Sequence, residues 1–180
     1  MKNKLRIGLA MAVMVIGMPA LALCQEKVAA GPVSGNAIRA GEIGSRLPDF
    51  AVKDLHGHDL SSGDLRGKVV LVDFWATWCQ PCKKEMPGYQ KLLERYGKDG
   101  FVVVGFKFDT MVDAIDPLAF ARKIGVRYPL VVATDDIRAK FGGIEGLPTT
   151  MIYDRQGILR YKVIGFEYTG TIESELKALL

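Results

Sequence analysis

The chain has 180 residues, 49% apolar and 24% charged, with 20 Gly and 8 Pro, which is a length for one domain or at most two and a composition that buries a core. That excludes a repeat array, a fibre and a multidomain enzyme. The formal charge of +4 falls to +1 once residues 1–22 are set aside with Lys2, Lys4 and Arg6, because 21 Lys and Arg then face 20 Asp and Glu; a near-neutral domain with no basic run gives no case for nucleic acid.

Ile7 to Leu23 is a run of 17 positions without a charge behind a basic start, with small residues around Ala20-Leu21-Ala22. This is the pattern of a secretory signal over 1–22. The run is at the lower limit for crossing a membrane, so an uncleaved anchor is the less favoured reading. Cys24 stands where a lipoprotein signal places its acylated residue, but Leu23 occupies the position where a small residue is expected. A cut after Ala22 is therefore preferred over lipidation. Residues 23–46, with Ala29-Ala30-Gly31-Pro32 and Ser34-Gly35, show no apolar periodicity and read as a flexible leader or tether.

The folded domain is expected over 47–180. Phe50 to Lys53 and His58 to Leu60, parted by Gly57, predict a short hairpin. Lys68 to Trp75 is a nearly continuous run of β-formers, as in a strand buried on both faces. Gln80 to Tyr96 has Met86, Tyr89, Leu92, Leu93 and Tyr96 at helical spacing, with a kink expected at Pro87. Further strands are predicted over Phe101 to Phe108 and Tyr128 to Val132, with a helix over Pro117 to Ile124 between them. Thr149 to Tyr153 and Ile158 to Ile164 flank the turn residues Asp154-Arg155-Gln156-Gly157, and Thr171 to Leu180 closes as an amphipathic helix. The order gives an α/β domain with a mixed central sheet flanked by helices.

Cys79-Gln80-Pro81-Cys82 sits where the strand ending at Trp75 gives way to a helix. At a helix N-terminus the free backbone N–H groups and the dipole stabilise an anion, so the Cys79 thiolate is favoured. Pro81 is tolerated in the first turn and fixes φ there. Cys79 is expected to be the exposed nucleophile and Cys82 the buried resolving thiol, with Trp78 as a flat apolar surface beside them. Three other uses of the pair are weighed. A zinc site would recruit His56 and His58, which structural sites rarely combine with a Pro-containing pair. Haem attachment needs His at 83, which is Lys83. A stapling disulfide in a binding module needs no strand-to-helix junction. Asp73, between Val72 and Phe74, and Glu85, one turn after Cys82, are the candidate proton acceptors.

The run Trp75 to Pro87, together with Leu47-Pro48-Asp49-Phe50 and Gly146-Leu147-Pro148-Thr149-Thr150, resembles the TlpA/ResA group of thioredoxin-like proteins, exported thiol–disulfide oxidoreductases. The resemblance implies a thioredoxin-like fold with an N-terminal hairpin and an inserted strand–helix element over Met111 to Leu130. It also implies a redox-active Cys79–Cys82 disulfide, an acid at Glu85, and a cis bond before Pro148. Trp78, Pro81, Leu147, Pro148 and Thr149 would then meet the substrate, exported disulfide-containing proteins that include apocytochrome c. Electrons would come from a membrane thiol transporter, and no cofactor or metal is called for. Asp73 departs from the group, which often carries Asn there. A peroxiredoxin-type thiol peroxidase is the rival reading, but its Pro and Thr/Ser positions hold Val72 and Ala76 here.

Overall fold

Strand alternation and helical spacing account for the architecture of the computed structural model, which describes residues 39–108 and 115–180. The signal over 1–22 and Cys24 lie outside the described residues. A hairpin of β1 (Ala51–Lys53) and β2 (Asp59–Ser61) precedes β3 (Val69–Trp75), α1 (Gln80–Tyr96), β4 (Phe101–Phe108), α2 (Pro117–Lys123), β5 (Leu130–Ala133), α3 (Asp135–Lys140), β6 (Thr149–Tyr153), β7 (Leu159–Ile164) and α4 (Thr169–Lys177). The main sheet has the order β5-β4-β3-β6-β7, with β3 central. β3 and β5 run parallel to β4, while β6 is antiparallel to both β3 and β7.

β3 is buried along its whole length, and its two sets of alternating side chains enter different cores. Val69, Leu71 and Trp75 pack with Met86, Tyr89 and Leu92 of α1 and Ile172 and Leu176 of α4. Val70, Val72 and Phe74 pack on the other face with Phe50, Phe106 and Phe141. There Phe74 stacks on Phe106 at 5.3 Å and meets Phe141 edge-on at 5.3 Å. Truncating a ring so enclosed costs about 3–5 kcal/mol. Asp73 belongs by alternation to the α1 face, together with Gly105 of β4 and Thr150 of β6, its partners in register.

Two expectations change. The folded unit begins before Leu47, because the Gly44 N–H bonds Leu159 O and Arg46 bridges to Ile158, so the leader ends before these residues. Gly142 there has φ +86, and an added Cβ would strike the Ala40 backbone, so Ala40–Gly41 lies flat against Phe141–Gly142. The described part of 111–130 holds helix α2 and Leu130, the first residue of β5, so in the inserted element the helix precedes the strand; α3 follows. α3 itself went unpredicted, being six residues capped by the Thr134 hydroxyl on the Ile137 N–H, too short for a periodic signal. α1 continues as one helix past Pro87, the site of the expected kink, which lacks the N–H that would bond Lys83 O. No helix among the described residues is long and apolar enough to cross a membrane.

Candidate active site

The chain leaves the sheet at Trp75, and Cys79 becomes the N-cap of α1 with Pro81 in the first turn. Cys79 and Cys82 form a disulfide with their Cα atoms 5.4 Å apart. The Cys82 N–H donates to Cys79 Sγ at 3.2 Å, so a backbone donor of the helix N-terminus already points at the first sulfur. Cys82 is fully enclosed and Cys79 only 4% exposed in this oxidised state, less than expected for a nucleophile. The reason is packing: both sulfurs belong to the core cluster of Trp75, Met86 and Tyr89. Trp78, at 53%, is the exposed surface beside them, and Pro81 is exposed as well.

The Leu147–Pro148 peptide is cis. Thr149 is in register with Phe74 on one side and Ile164 on the other, which brings Pro148 to the end of β3 nearest the cysteines. Thr149 does not serve as a free docking edge, since it is buried within a strand flanked on both sides and its hydroxyl donates to Gly146 O at 2.7 Å. Pro148 O accepts from the Gly165 N–H at 2.8 Å. Leu147, half-buried and outside the ladder, is the residue of the three whose place remains open to a substrate.

The two acids lie together beneath the pair. Glu85 is 1% exposed. Its Oε1 accepts from the Glu167 N–H, while Oε2 has no partner. Burial pushes its carboxyl up to about 7 against that hydrogen bond, and the nearby Glu167 charge adds to the rise. Asp73 is fully enclosed with neither oxygen partnered. Burial first, and the Glu85 charge second, hold its carboxyl well above the usual carboxylate range.

Sequence reasoning missed the rest of this pocket. The Tyr89 hydroxyl bonds Thr150 Oγ1 at 2.9 Å, in register with Asp73. The Tyr128 hydroxyl and Trp75 Nε1 are buried without partners. Gly105 makes the room: a Cβ there would lie 3.1 Å from Trp75 Nε1 and 3.2 Å from Tyr128. Tyr89 could have been found, because Cys82, Glu85 and Tyr89 follow i, i+3, i+7 on one helix face; Tyr128 has no local signal. His56 and His58 stay in the hairpin turn around Asp54, whose Oδ1 accepts both of their N–H groups. Among the described residues no group of three or more His, Cys, Asp or Glu could hold a metal.

A mixed sheet with a disulfide at the N-cap of the helix after its central strand, facing a cis-proline, defines a thioredoxin-fold thiol–disulfide oxidoreductase. The chain belongs to the thioredoxin-like AhpC/TSA family, which matches residues 43–162. It is 32% identical over 137 residues to the thiol-disulfide oxidoreductase ResA of Geobacillus kaustophilus, covering 76% of this chain and 78% of that one. The thioredoxin-like protein YneN of Bacillus subtilis is 34% identical over 134 residues, covering 74% and 78%. Among solved structures, a thiol:disulfide interchange protein of the thioredoxin family from Chlorobium tepidum superposes with a TM-score of 0.69 at 27% identity, covering 78% of this chain and 99% of that one.

Proposed function

We propose that the protein is exported and reduces or isomerises disulfides in extracytoplasmic proteins, apocytochrome c before haem attachment among them. The observation that carries the mechanism is the enclosed Glu85, one helical turn from Cys82 and titrating near neutrality. In the reduced enzyme the Cys79 thiolate, held by the Cys82 N–H and the helix N-terminus, attacks a substrate sulfur. A mixed disulfide forms and one substrate thiolate leaves. Cys82 then gives its proton to Glu85 and attacks Cys79 Sγ, which releases the second substrate thiolate and restores the Cys79–Cys82 bond. Two electrons have passed to the substrate. Asp73, whose carboxyl burial and the Glu85 charge hold well above the usual carboxylate range, is the second acid of the pocket.

Trp78, Pro81 and Leu147 form the surface on which the substrate lies, with the buried Pro148 behind Leu147. The basic start, apolar run and small residues of 1–22 support export. An exported reductant works in an oxidising compartment, so it takes its electrons from a membrane thiol transporter. Insulin reduction with a dithiol donor tests the roles: Cys79→Ser should lose activity, whereas Cys82→Ser should accumulate a protein–substrate mixed disulfide visible on a non-reducing gel. Retained turnover in Cys79→Ser would overturn the assignment.

A further inference from the structure

A cleft of about 520 Å³ opens at the pole of the sheet away from the disulfide. Its floor includes Val70, at the start of β3, and its wall includes Gly157 of the β6–β7 turn. Cys79 follows the opposite end of the same strand, and the five steps from Val70 to Trp75 alone span roughly 16 Å. The cleft is therefore separate from the thiol chemistry.

Four basic side chains line this cleft, Arg46, Arg66, Lys140 and Arg155, against one acid, Asp49. They lie far apart in sequence, so only folding gathers them. Arg46 and Arg66 make no ion pair among the described residues, while Lys140 pairs with Asp136 at 2.9 Å. The Arg155 guanidinium is held by the Gly67 carbonyl at 3.2 Å, the Asp99 carbonyl at 2.9 Å and the main-chain oxygen of Leu180 at 2.9 Å. Ser45, another lining residue, is 5% exposed and its buried hydroxyl has no partner. Its backbone is fully used, the N–H on Glu42 O and the carbonyl on the Leu159 N–H.

Gathering like charges in one concavity costs energy unless an anion occupies it. Guanidinium forks beside an ammonium and a spare hydroxyl match the several oxygens of a phosphate, which accept multiple charge-assisted hydrogen bonds at once. We propose that this cleft binds the phosphate group of an anionic ligand, either a phospholipid headgroup or a soluble phosphate ester. Ala40 and Ser45–Asp49 also line it, so the cleft lies beside the first described residues of the domain. The proposal stands independently of the proposed thiol function.

The test uses the full chain in non-ionic detergent, titrated with inorganic phosphate by calorimetry at constant ionic strength set with chloride. Flotation with phosphatidylglycerol or phosphatidylcholine vesicles accompanies it. Arg46→Gln/Arg66→Gln is the main variant, with each substitution also made singly; Arg155 is left intact because it ties three main-chain oxygens together. Phosphate affinity should fall about tenfold in the double variant. Phosphate binding that falls with no change in vesicle preference identifies a soluble ester. A preference for phosphatidylglycerol that drops in the double variant, without phosphate binding, identifies a headgroup. Either result supports the site. Wild-type protein that neither binds phosphate above chloride nor loses vesicle preference on substitution overturns it, as does a double variant that binds phosphate as tightly as wild type.

Discussion

Asp73 and Asp154 are the same residue type and are both almost shut off from water, at 0% and 6% exposed, yet their carboxyls move in opposite directions. Burial pushes Asp154 up, but the Ile158 N–H, the Arg160 side chain and the Gln156 N–H outweigh it and hold the group below its ordinary value. The two N–H groups reach Oδ1 at 2.9 Å each, and Arg160 Nε reaches Oδ2 at 2.5 Å. Asp73 has the burial without the donors. Enclosure alone thus says little about an acid. What separates the structural carboxylate of the β6–β7 turn from the reactive pocket is whether the fold supplies hydrogen-bond donors.

The largest expected effect tests the functional half of this contrast. Asp73→Asn/Glu85→Gln should slow insulin reduction at pH 7 by about 10²–10⁴-fold, the usual worth of a positioned proton acceptor. Asp154→Asn, remote from the cysteines, should stay within about twofold. Equal rates in the double variant and wild type would sink the proton-transfer role, and the remedy would be to look to solvent for the acceptor.

On stability the signs reverse. Asp154→Ala strands two N–H groups and the Arg160 guanidinium, a loss of about 3 kcal/mol that should lower the urea midpoint with m unchanged. The wild-type contribution is present above the ordinary Asp value near 3.8 and is lost as pH falls through the depressed folded value. Asp73→Asn should instead stabilise the oxidised protein at pH 8, by about 1–3 kcal/mol, the range for a buried polar group left unpaired. Unfolded Asp73 gives up its proton near 3.8 while folded Asp73 keeps it far higher, so wild type loses stability as pH rises and the Asn variant does not. At pH 3 the two should agree within about 0.5 kcal/mol. A destabilised Asp73→Asn at pH 8 would show that a hidden donor satisfies the acid.

The contrast also explains what the sequence revealed. The apolar run of β3, the helical face of α1 and the order of motifs from Leu47 to Thr150 made the architecture and the cysteine pair legible, because each is a local pattern. Asp73 and Glu85 were recognisable as acids out of place, one in an apolar strand and one a turn from Cys82. Their different chemistry was not, since it depends on Glu167, on Thr150 and on the space left at Gly105, all distant in sequence. The basic cleft was invisible for the same reason: Arg46, Arg66, Lys140 and Arg155 form no run, and a near-neutral total concealed them. That Thr149, expected to meet the substrate, is paired on both sides was not legible, because strand order, which places β6 between β3 and β7, is a tertiary fact.

The smallest effect concerns Glu85, which stands between the two aspartates with one oxygen bonded and one not. Its folded carboxyl titrates at about 7 against an ordinary 4.5, so between those values the folded state holds the proton that the unfolded state has released. Stability should therefore fall as pH rises from about 4.5 to about 7 and level off above. Glu85→Gln keeps an acceptor for the Glu167 N–H but cannot ionise, which removes this limb. Urea unfolding of the oxidised protein at pH 5 and pH 8 reads the difference: the wild-type decline should be shallower in the variant, with a gain of about 1 kcal/mol at pH 8. The remaining slope in that window belongs to Asp73, so adding Asp73→Asn should flatten it further. Parallel pH profiles for wild type and Glu85→Gln would mean that Glu85 ionises in the folded protein as it does in water, and the pocket would then lack the neutral-pH proton acceptor assigned to it.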